Sequence, residues 1–580
     1  MKDRTLRRGD RQEFSHSMTM LPTGTAPRKT RLSMQLAWRS LLANPWLPVA
    51  LLFFLCSLRS IGLPGLYMDE VNPDYLAARV LHPALHNPVF ELPTRFFNIL
   101  GNYYHGVQNY YLAIPVLSFL GSSVTSIRLA HVLFGLIIVA CTTKIVSRLT
   151  RSGALALACG LATATDMAFI GSFRDQNYIV LGGFAWLMVA LLLLLPGPRF
   201  EESDAGLSNR RVFVSGLFCG LAAYGYFVQL FFYPAMLLIT LRQAASRKRA
   251  AVFWCLGVAA GVTPYALGYL SMYLAVGGLH QLAQSIHSGL TTLQPLQEGS
   301  GPLKNLTAVF GFANMAVTNH ENEMMTLGAS LHSTWGNAKF YLLIFSILAA
   351  LASLAVSLLR RRKDHLDLML VSLPLSYLVV ASIFGGRLGS HHFALLTPLT
   401  YLLLALLLGR LVSLTRKTEN RRPGNMLIVS FTVLVVGANL VQQHQYFNEL
   451  ERTGGAGRSS NALTTMADQA LSTGQHAVYA FPEWGFFMSF VLLTQNRVPY
   501  LLDISPTSLA AAHAAYADRP EVRLLYWNQK DRDSYRAALA AQGISAISET
   551  DFMQRDGREA FHMLTGHFAD TTAAKNVNDK

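Results

Sequence analysis

The sequence predicts a polytopic α-helical membrane protein with a small α/β domain at its C-terminal end. Three observations predict it. Apolar residues make up 52% of the 580-residue chain and charged residues only 14%, against roughly a quarter charged in soluble domains. The apolar residues lie in runs, among them 132–140, 187–195 and 341–359. With their flanks, several runs reach the ~20 residues that cross a bilayer. From about 443 onward the pattern becomes soluble, with short runs of strand and helix character. This composition excludes a disordered chain and an ordinary soluble enzyme.

The elements follow in order. Residues 1–45 form a basic tail without an early apolar core, so they do not read as a cleaved signal. Leu32, Leu36, Ala37 and Leu41 share one helical face beside Arg31 and Arg39, the pattern of an interfacial helix. The region 46–442 reads as eleven spans. They fall at about 46–62, 111–143, 152–171, 178–195, 212–227, 229–241, 251–275, 338–359, 366–384, 393–409 and 426–442. The second window is too long for one helix and predicts a short interfacial helix, then a span after Arg128. The pairs Gly216/Gly220 and Gly257/Gly261 predict close helix packing. Large outer loops are expected at 63–110 and 276–337.

Residues 443–580 are domain-sized. Helices at 461–471 and 531–541 alternate with strands at 476–481 and 522–527, which predicts a small α/β domain outside the membrane. It contains no phosphate loop, HExxH or GxSxG, and reads as a structural or acceptor-recognition lid.

The formal net charge of +15 is a matter of orientation. Alternate connections, the N-terminal tail included, hold 28 Lys and Arg against 9 Asp and Glu. The opposite connections up to 442 hold 8 against 9, and the remainder 12 against 15. Positive connections stay in the cytoplasm, so the N-terminus is expected there and the C-terminus outside. The charge therefore does not argue for nucleic acid. Cys56, Cys141, Cys159, Cys219 and Cys255 lie in or beside spans, so no outer disulfide and no CxxC centre is expected.

Few charges leave few candidates for chemistry. Asp69, Glu70 and Asp74 fall within six residues after the first span. They are either solvated interface acids or carboxylates at a low-dielectric boundary, where one can act as a general base toward a hydroxyl. Arg174 and Asp175 lie in a tight turn between two spans and either face the cavity of Asp69 or simply close a polar hairpin. Asp166 lies deeper, as a helix-packing or functional acid. Arg387, His391 and His392 follow two glycines and offer donors to an anion. Adjacent histidines lack the i,i+4 spacing of a helical zinc pair, so phosphate contact is favoured and no metal ligand is assigned. Glu321 and Glu323 are acceptor or metal contacts, or solvated loop acids.

The order of these motifs resembles the GT-C glycosyltransferases that use polyprenyl-phosphate sugars, of the bacterial aminoarabinose transferase and protein O-mannosyltransferase type. Met68-Asp69-Glu70 with Tyr75 is similar to the family's loop opening. Tyr103-Tyr104-His105-Gly106 with Asn109-Tyr110-Tyr111, and Ser126-Ile127-Arg128 with Phe134-Gly135, are similar to its next two segments. The paired prolines that the family carries after this His are missing. The resemblance spans about 46–410 and implies a GT-C-like fold. It implies Asp69 as catalytic base, Glu70 as its support, and Asp175 toward sugar, acceptor or an optional divalent cation. It further implies His105, Arg174 and Arg387 toward the departing phosphate, with Tyr104 and His391 on the substrate side.

The implied activity is inverting transfer of a sugar from a polyprenyl-phosphate donor to a lipid, glycan or protein acceptor. It would take place among membrane lipids at the outer face of the bacterial inner membrane. A transporter or flippase of lipid-linked glycan and a glycan polymerase or ligase are the alternatives. Apolar spans without visible repeats, and acids gathered on one side, favour the transferase.

Overall fold

The structure is a computed structural model that describes residues 44–83, 85, 87, 92–95, 98–195, 207–292, 301–359, 366–415, 422–473 and 476–568. The expected interfacial helix of the tail lies outside the described residues. Each of the eleven predicted windows falls on helix. Among the described residues, seven helices are long and apolar enough to cross a membrane, judged by length and composition. Three shorter apolar helices, Trp46–Leu58, Gly153–Ala164 and Phe227–Gln243, accompany them.

The second window divides as its length requires, but earlier than expected. Helix Gln108–Leu120 stops at Gly121, whose φ of 75° a glycine adopts without Cβ strain. Ser123 then caps helix Val124–Thr150 by accepting the Ser126 N–H. Arg128 consequently lies inside the second helix, not ahead of it.

The GxxxG pairs do close two helices on each other. A Cβ added at Gly216 would lie 2.2 Å from the Trp254 carbonyl oxygen, and one at Gly257 would lie 2.1 Å from that of Phe213. Helices Asn209–Gly225 and Arg247–Val276 therefore pack backbone to backbone.

The segment 276–337 is largely helical. It holds helices Leu279–Thr292, Pro302–Thr318 and His320–Leu327. Pro302 at the first turn starts the middle one, where its missing N–H has no helical role. That helix buries Val309, Ala313, Ala316 and Val317 in the same apolar core as the spans.

The last long helix, Arg422–Thr453, has 32 residues, which at the usual rise is about 48 Å. It runs unbroken through the expected boundary at 443. Beyond it the predicted helices appear as Ala462–Thr473 and Arg532–Ala541. A two-stranded hairpin, β1 (Leu100–Asn102) and β2 (His105–Gly106), lies in the first long segment. The C-terminal sheet holds β3 (Ala477–Ala480), β4 (Tyr500–Leu501), β5 (Glu521–Tyr526), β6 (Ser545–Met553) and β7 (Glu559–His567), in the order β4-β3-β5-β7-β6. β3 pairs in parallel with β4 and β5, and β7 pairs antiparallel with β5 and β6.

This sheet region shares its core with the first long segment. Leu66, Met68, Val71 and Tyr75 belong to one buried cluster with Ala462, Met466, Phe487 and Tyr500. The Ser489 hydroxyl donates to the Leu66 carbonyl at 2.9 Å, and the Asn496 amide donates to those of His82 and Leu85 at 3.1 Å each. A Cβ at Gly65 would lie 2.1 Å from the Ser460 carbonyl oxygen. The turn that carries the first acids is thus held between the bundle and the sheet.

Candidate functional site

The three acids after the first span meet three different fates. Met68–Val71 form a 3₁₀ turn, in which residues three apart share a face. Met68 and Val71 are buried, which fixes the turn. Glu70 is fully buried and pairs bidentately with Arg128, Nε to Oε1 at 2.7 Å and Nη2 to Oε2 at 3.0 Å. The other Arg128 donors go to the carbonyls of Ile61, Pro64, Gly65 and Arg174. Asp74 is buried too, with Oδ2 3.0 Å from His131 Nε2 and accepting the Tyr178 hydroxyl. His131 and Tyr178 stack with ring centroids 3.4 Å apart.

Asp69 alone stays partly open. It accepts one hydrogen bond, from the Tyr67 hydroxyl at 2.9 Å. Among the described residues it enters no ion pair. Burial holds its carboxyl above the usual range, opposed by the Tyr67 hydrogen bond and the charge of Arg458. A carboxylate so placed is a stronger base than a solvated one.

Asp69 lies within electrostatic reach of Tyr104 and Tyr226. These rings belong to an aromatic wall in which Tyr104 packs on Tyr226 and Phe227, His105 stacks on Tyr226, and Tyr226 contacts His392. Hairpin β1–β2 brings Tyr104 and His105 to the wall, because Gly106 lets the strand lie against the Tyr224 ring, where a Cβ would come within 2.2 Å. Burial pushes the Tyr104 hydroxyl up to about 12, so it is a neutral donor. Burial pushes His105 down to about 4. Its Nδ1 lies 3.0 Å from the Gly106 carbonyl oxygen, which can only accept. The ring N–H is therefore on Nδ1, and Nε2 presents a lone pair. A neutral His105 in this tautomer offers an anion nothing, which corrects its expected phosphate role.

Arg174 is corrected for a different reason. Its Nη1 donates to the Ser60 and Leu63 carbonyls at 2.7 and 2.9 Å, and its Nη2 to those of Ser57, at 3.0 Å, and Arg59. Its face covers the Phe447 ring at 4.7 Å. It satisfies the orphan carbonyls where helix Trp46–Leu58 ends, and both Nη atoms are committed there.

Asp175 is buried and accepts the Asn177 N–H at 2.9 Å. Burial and the neighbouring Glu321 hold its carboxyl well above the usual range. Burial pushes Glu321 up to about 8. Glu321 Oε2 and Asn177 Oδ1 are buried without a hydrogen-bond partner. Such orphaned acceptors are costly and fit a donor from outside the chain, such as a sugar hydroxyl. His391 joins this corner through Nδ1, 3.3 Å from Gln176 Nε2. Arg387, in a 3₁₀ turn, is exposed. Glu323, by contrast, anchors its own loop by accepting from Asn319 and the Leu331 N–H.

Beside the hairpin an open apolar cavity of about 640 Å³ is lined by Tyr110, Tyr111, Tyr224, Pro264 and Leu267. For a metal, one group of three ligand side chains converges among the described residues: Glu549, Asp551 and His562. It lies on β6 and β7, and protein partners already hold it, Tyr526 and Arg532 on Glu549 and Asp551 on His562.

Sequence reasoning passed over His131, Tyr178, Tyr226 and Arg458. Arg458 had a visible signal, the glycine-rich run Gly454-Gly455-Ala456-Gly457 that precedes it.

No protein-family profile matches the chain, and no curated protein matches it in sequence. Solved structures do match in fold. ArnT from Cupriavidus metallidurans in the apo state superposes with a TM-score of 0.59 at 13% identity, covering 92% of this chain and 98% of that one. The same protein bound to undecaprenyl phosphate superposes with a TM-score of 0.53 at 13% identity and the same coverage. The fold is therefore the ArnT fold, the GT-C-like architecture that the motif order implies.

Proposed function

We propose that this chain is a membrane glycosyltransferase that moves a sugar from a polyprenyl-phosphate donor to a hydroxyl acceptor with inversion. The observation that carries the proposal is Asp69, the one acid of its turn free of an ion pair among the described residues, partly open beside an aromatic wall. The ArnT fold, with one relative bound to undecaprenyl phosphate, supports it.

In this reading Asp69 takes the acceptor proton as that oxygen bonds to the anomeric carbon, and the bond from that carbon to the phosphate oxygen breaks on the opposite face. Glu70 supports Asp69 indirectly, by pinning the turn to Arg128. Glu321 and Asn177 accept hydrogen bonds from sugar hydroxyls through their orphaned oxygens, and Asp175 holds Asn177 in place for that contact. Arg387 and the Tyr104 hydroxyl face the departing phosphate, where preorganised donors help most. The apolar cavity takes the prenyl chain, so that lipid and sugar part at the rim. The charge asymmetry supports an N-terminus in the cytoplasm and a sheet in the periplasm of a bacterial inner-membrane protein.

The test is reconstitution with a polyprenyl-phosphate sugar and an envelope lipid extract. The expected result is a glycosylated product by mass spectrometry with inverted anomeric configuration by NMR. Uptake or flipping of the lipid-linked sugar without any covalent product overturns the proposal.

A further inference from the structure

The turn Gly454-Gly455-Ala456-Gly457-Arg458 joins the last long helix to the sheet region. Gly454, Gly455 and Gly457 have φ of 73°, 95° and 51°, backbone that side chains disfavour. Gly455 is also a point of close approach, since a Cβ there would lie 2.3 Å from the Ser459 carbonyl oxygen and 2.5 Å from Pro64 Cβ. The Ala456 N–H donates to the Thr326 carbonyl at 2.9 Å. The turn is thus seated between the segment that leads to Asp69 and helix His320–Leu327. The one long side chain it sends outward is Arg458.

Arg458 is exposed and covers the Trp527 ring at 5.8 Å. It also reaches the Tyr67 hydroxyl, the group that donates to Asp69. Trp527 is itself fixed. Its backbone N–H donates to Glu483 at 3.0 Å, its Nε1 donates to the Trp484 carbonyl at 2.8 Å, and its ring stacks on Phe486 at 3.9 Å. A guanidinium that rests on a ring uses its face and keeps N–H edges for a ligand. Arg128 and Arg174, two guanidinia behind the turn of Asp69, are committed to Glu70 and to backbone carbonyls.

We propose that Arg458 binds a phosphate oxyanion of a substrate at the mouth of the Asp69 site, so that the C-terminal region completes the transfer site. The inference rests on the glycosyltransferase reading and adds a residue to it. A forked guanidinium matches phosphate geometry. The phosphate belongs either to the lipid donor or to an anionic acceptor, and the two sources separate in one experiment.

The experiment measures binding of undecaprenyl phosphate in detergent micelles, and KM and kcat for donor and acceptor, for the wild type, Arg458→Ala and Arg458→Lys. Loss of one charge-assisted contact is worth about tenfold. If the donor is the source, Arg458→Ala weakens undecaprenyl phosphate binding by that factor and Arg458→Lys restores much of it. If the acceptor is the source, that binding is unchanged and the acceptor KM rises instead. The thermal midpoint stays put in both cases, since the side chain is exposed. Unchanged binding together with unchanged KM values, in a protein whose wild type binds the lipid and makes product, overturns the role of Arg458 alone. A wild type that neither binds undecaprenyl phosphate nor forms product overturns the glycosyltransferase reading, and this inference falls with it.

Discussion

Asp166 and Asp69 are both acids beside apolar helices, and they could hardly be treated more differently. Asp166 accepts the Ala168 and Phe169 N–H groups at 2.8 and 3.2 Å, the Lys339 ammonium at 2.9 Å and the Tyr401 hydroxyl at 2.6 Å. Tyr401 and Trp335 continue the network to Asn439 on the last long helix. Asp69 has one hydrogen bond, from Tyr67. An acid with four donors from three segments ties helices together. An acid left with one donor, at a place where burial is partial, is available to something outside the chain. The same contrast separates Glu70 from Asp69 one residue away.

The most severe test of this contrast is the exchange of each acid for its amide. Asp69→Asn is expected to lower transfer by about 10³-fold, within the range for a lost general base, with its melting temperature in detergent unchanged. Asp166→Asn is expected to do the reverse, lowering the melting temperature while the surviving folded protein keeps its rate. A stable, fully active Asp69→Asn, or an Asp69→Asn that unfolds, breaks the comparison.

Next in size is the Glu70–Arg128 pair. Removal of one partner of a buried ion pair costs about 3–5 kcal/mol. Arg128→Ala is therefore expected to leave little folded protein on size-exclusion chromatography. Glu70→Gln, which keeps one acceptor, should be milder. If Arg128→Ala folds normally and loses only rate, Glu70 and Arg128 belong with the chemistry and not with the scaffold.

How much of this was legible in the chain depends on the kind of signal. The spans were, because apolar composition over twenty residues is a strong local pattern. The strands β3 and β5 were as well, since 476–481 and 522–527 are short runs rich in apolar and aromatic residues. β6 was not: Ser545–Met553 is an edge strand, mostly exposed, and its polar sequence carries no alternation. The acids near 69 were visible as a group, but their division was not. It depends on Arg128 and His131, 58 and 57 residues from their partners in sequence, and on Tyr178, 104 residues from Asp74. Arg174 looked available because its neighbours in sequence are polar. The carbonyls that occupy it come from 57–63 and could only be found in three dimensions.

A smaller effect sharpens the other corner of the site. Glu321 sits near pH 8 in the fold, against 4.5 for the free group. A raised carboxyl favours the folded state fully below the unfolded value, and that contribution is lost as pH rises through the folded one. Glu321→Gln cannot ionise, so its melting temperature relative to wild type should climb between about pH 5 and pH 9. A constant difference across that window would mean that Glu321 is already ionised and paired in the fold.

The smallest effect concerns the one donor that Asp69 does have. The Tyr67 hydroxyl hydrogen-bonds the ionised carboxyl and so lowers a pKa that burial has raised. Tyr67→Phe removes the hydrogen bond and leaves the burial, so the Asp69 pKa moves further up. A general base works when deprotonated, so the acid limb of the kcat/KM profile should shift to higher pH. At low pH the variant is slower. On the alkaline plateau, where Asp69 is ionised in both proteins, it keeps its rate or exceeds it, because a more basic carboxylate takes the proton more readily. A structural loss would lower the rate equally at every pH. The crossing of the two profiles, and not the loss itself, therefore identifies Asp69 as the group that titrates.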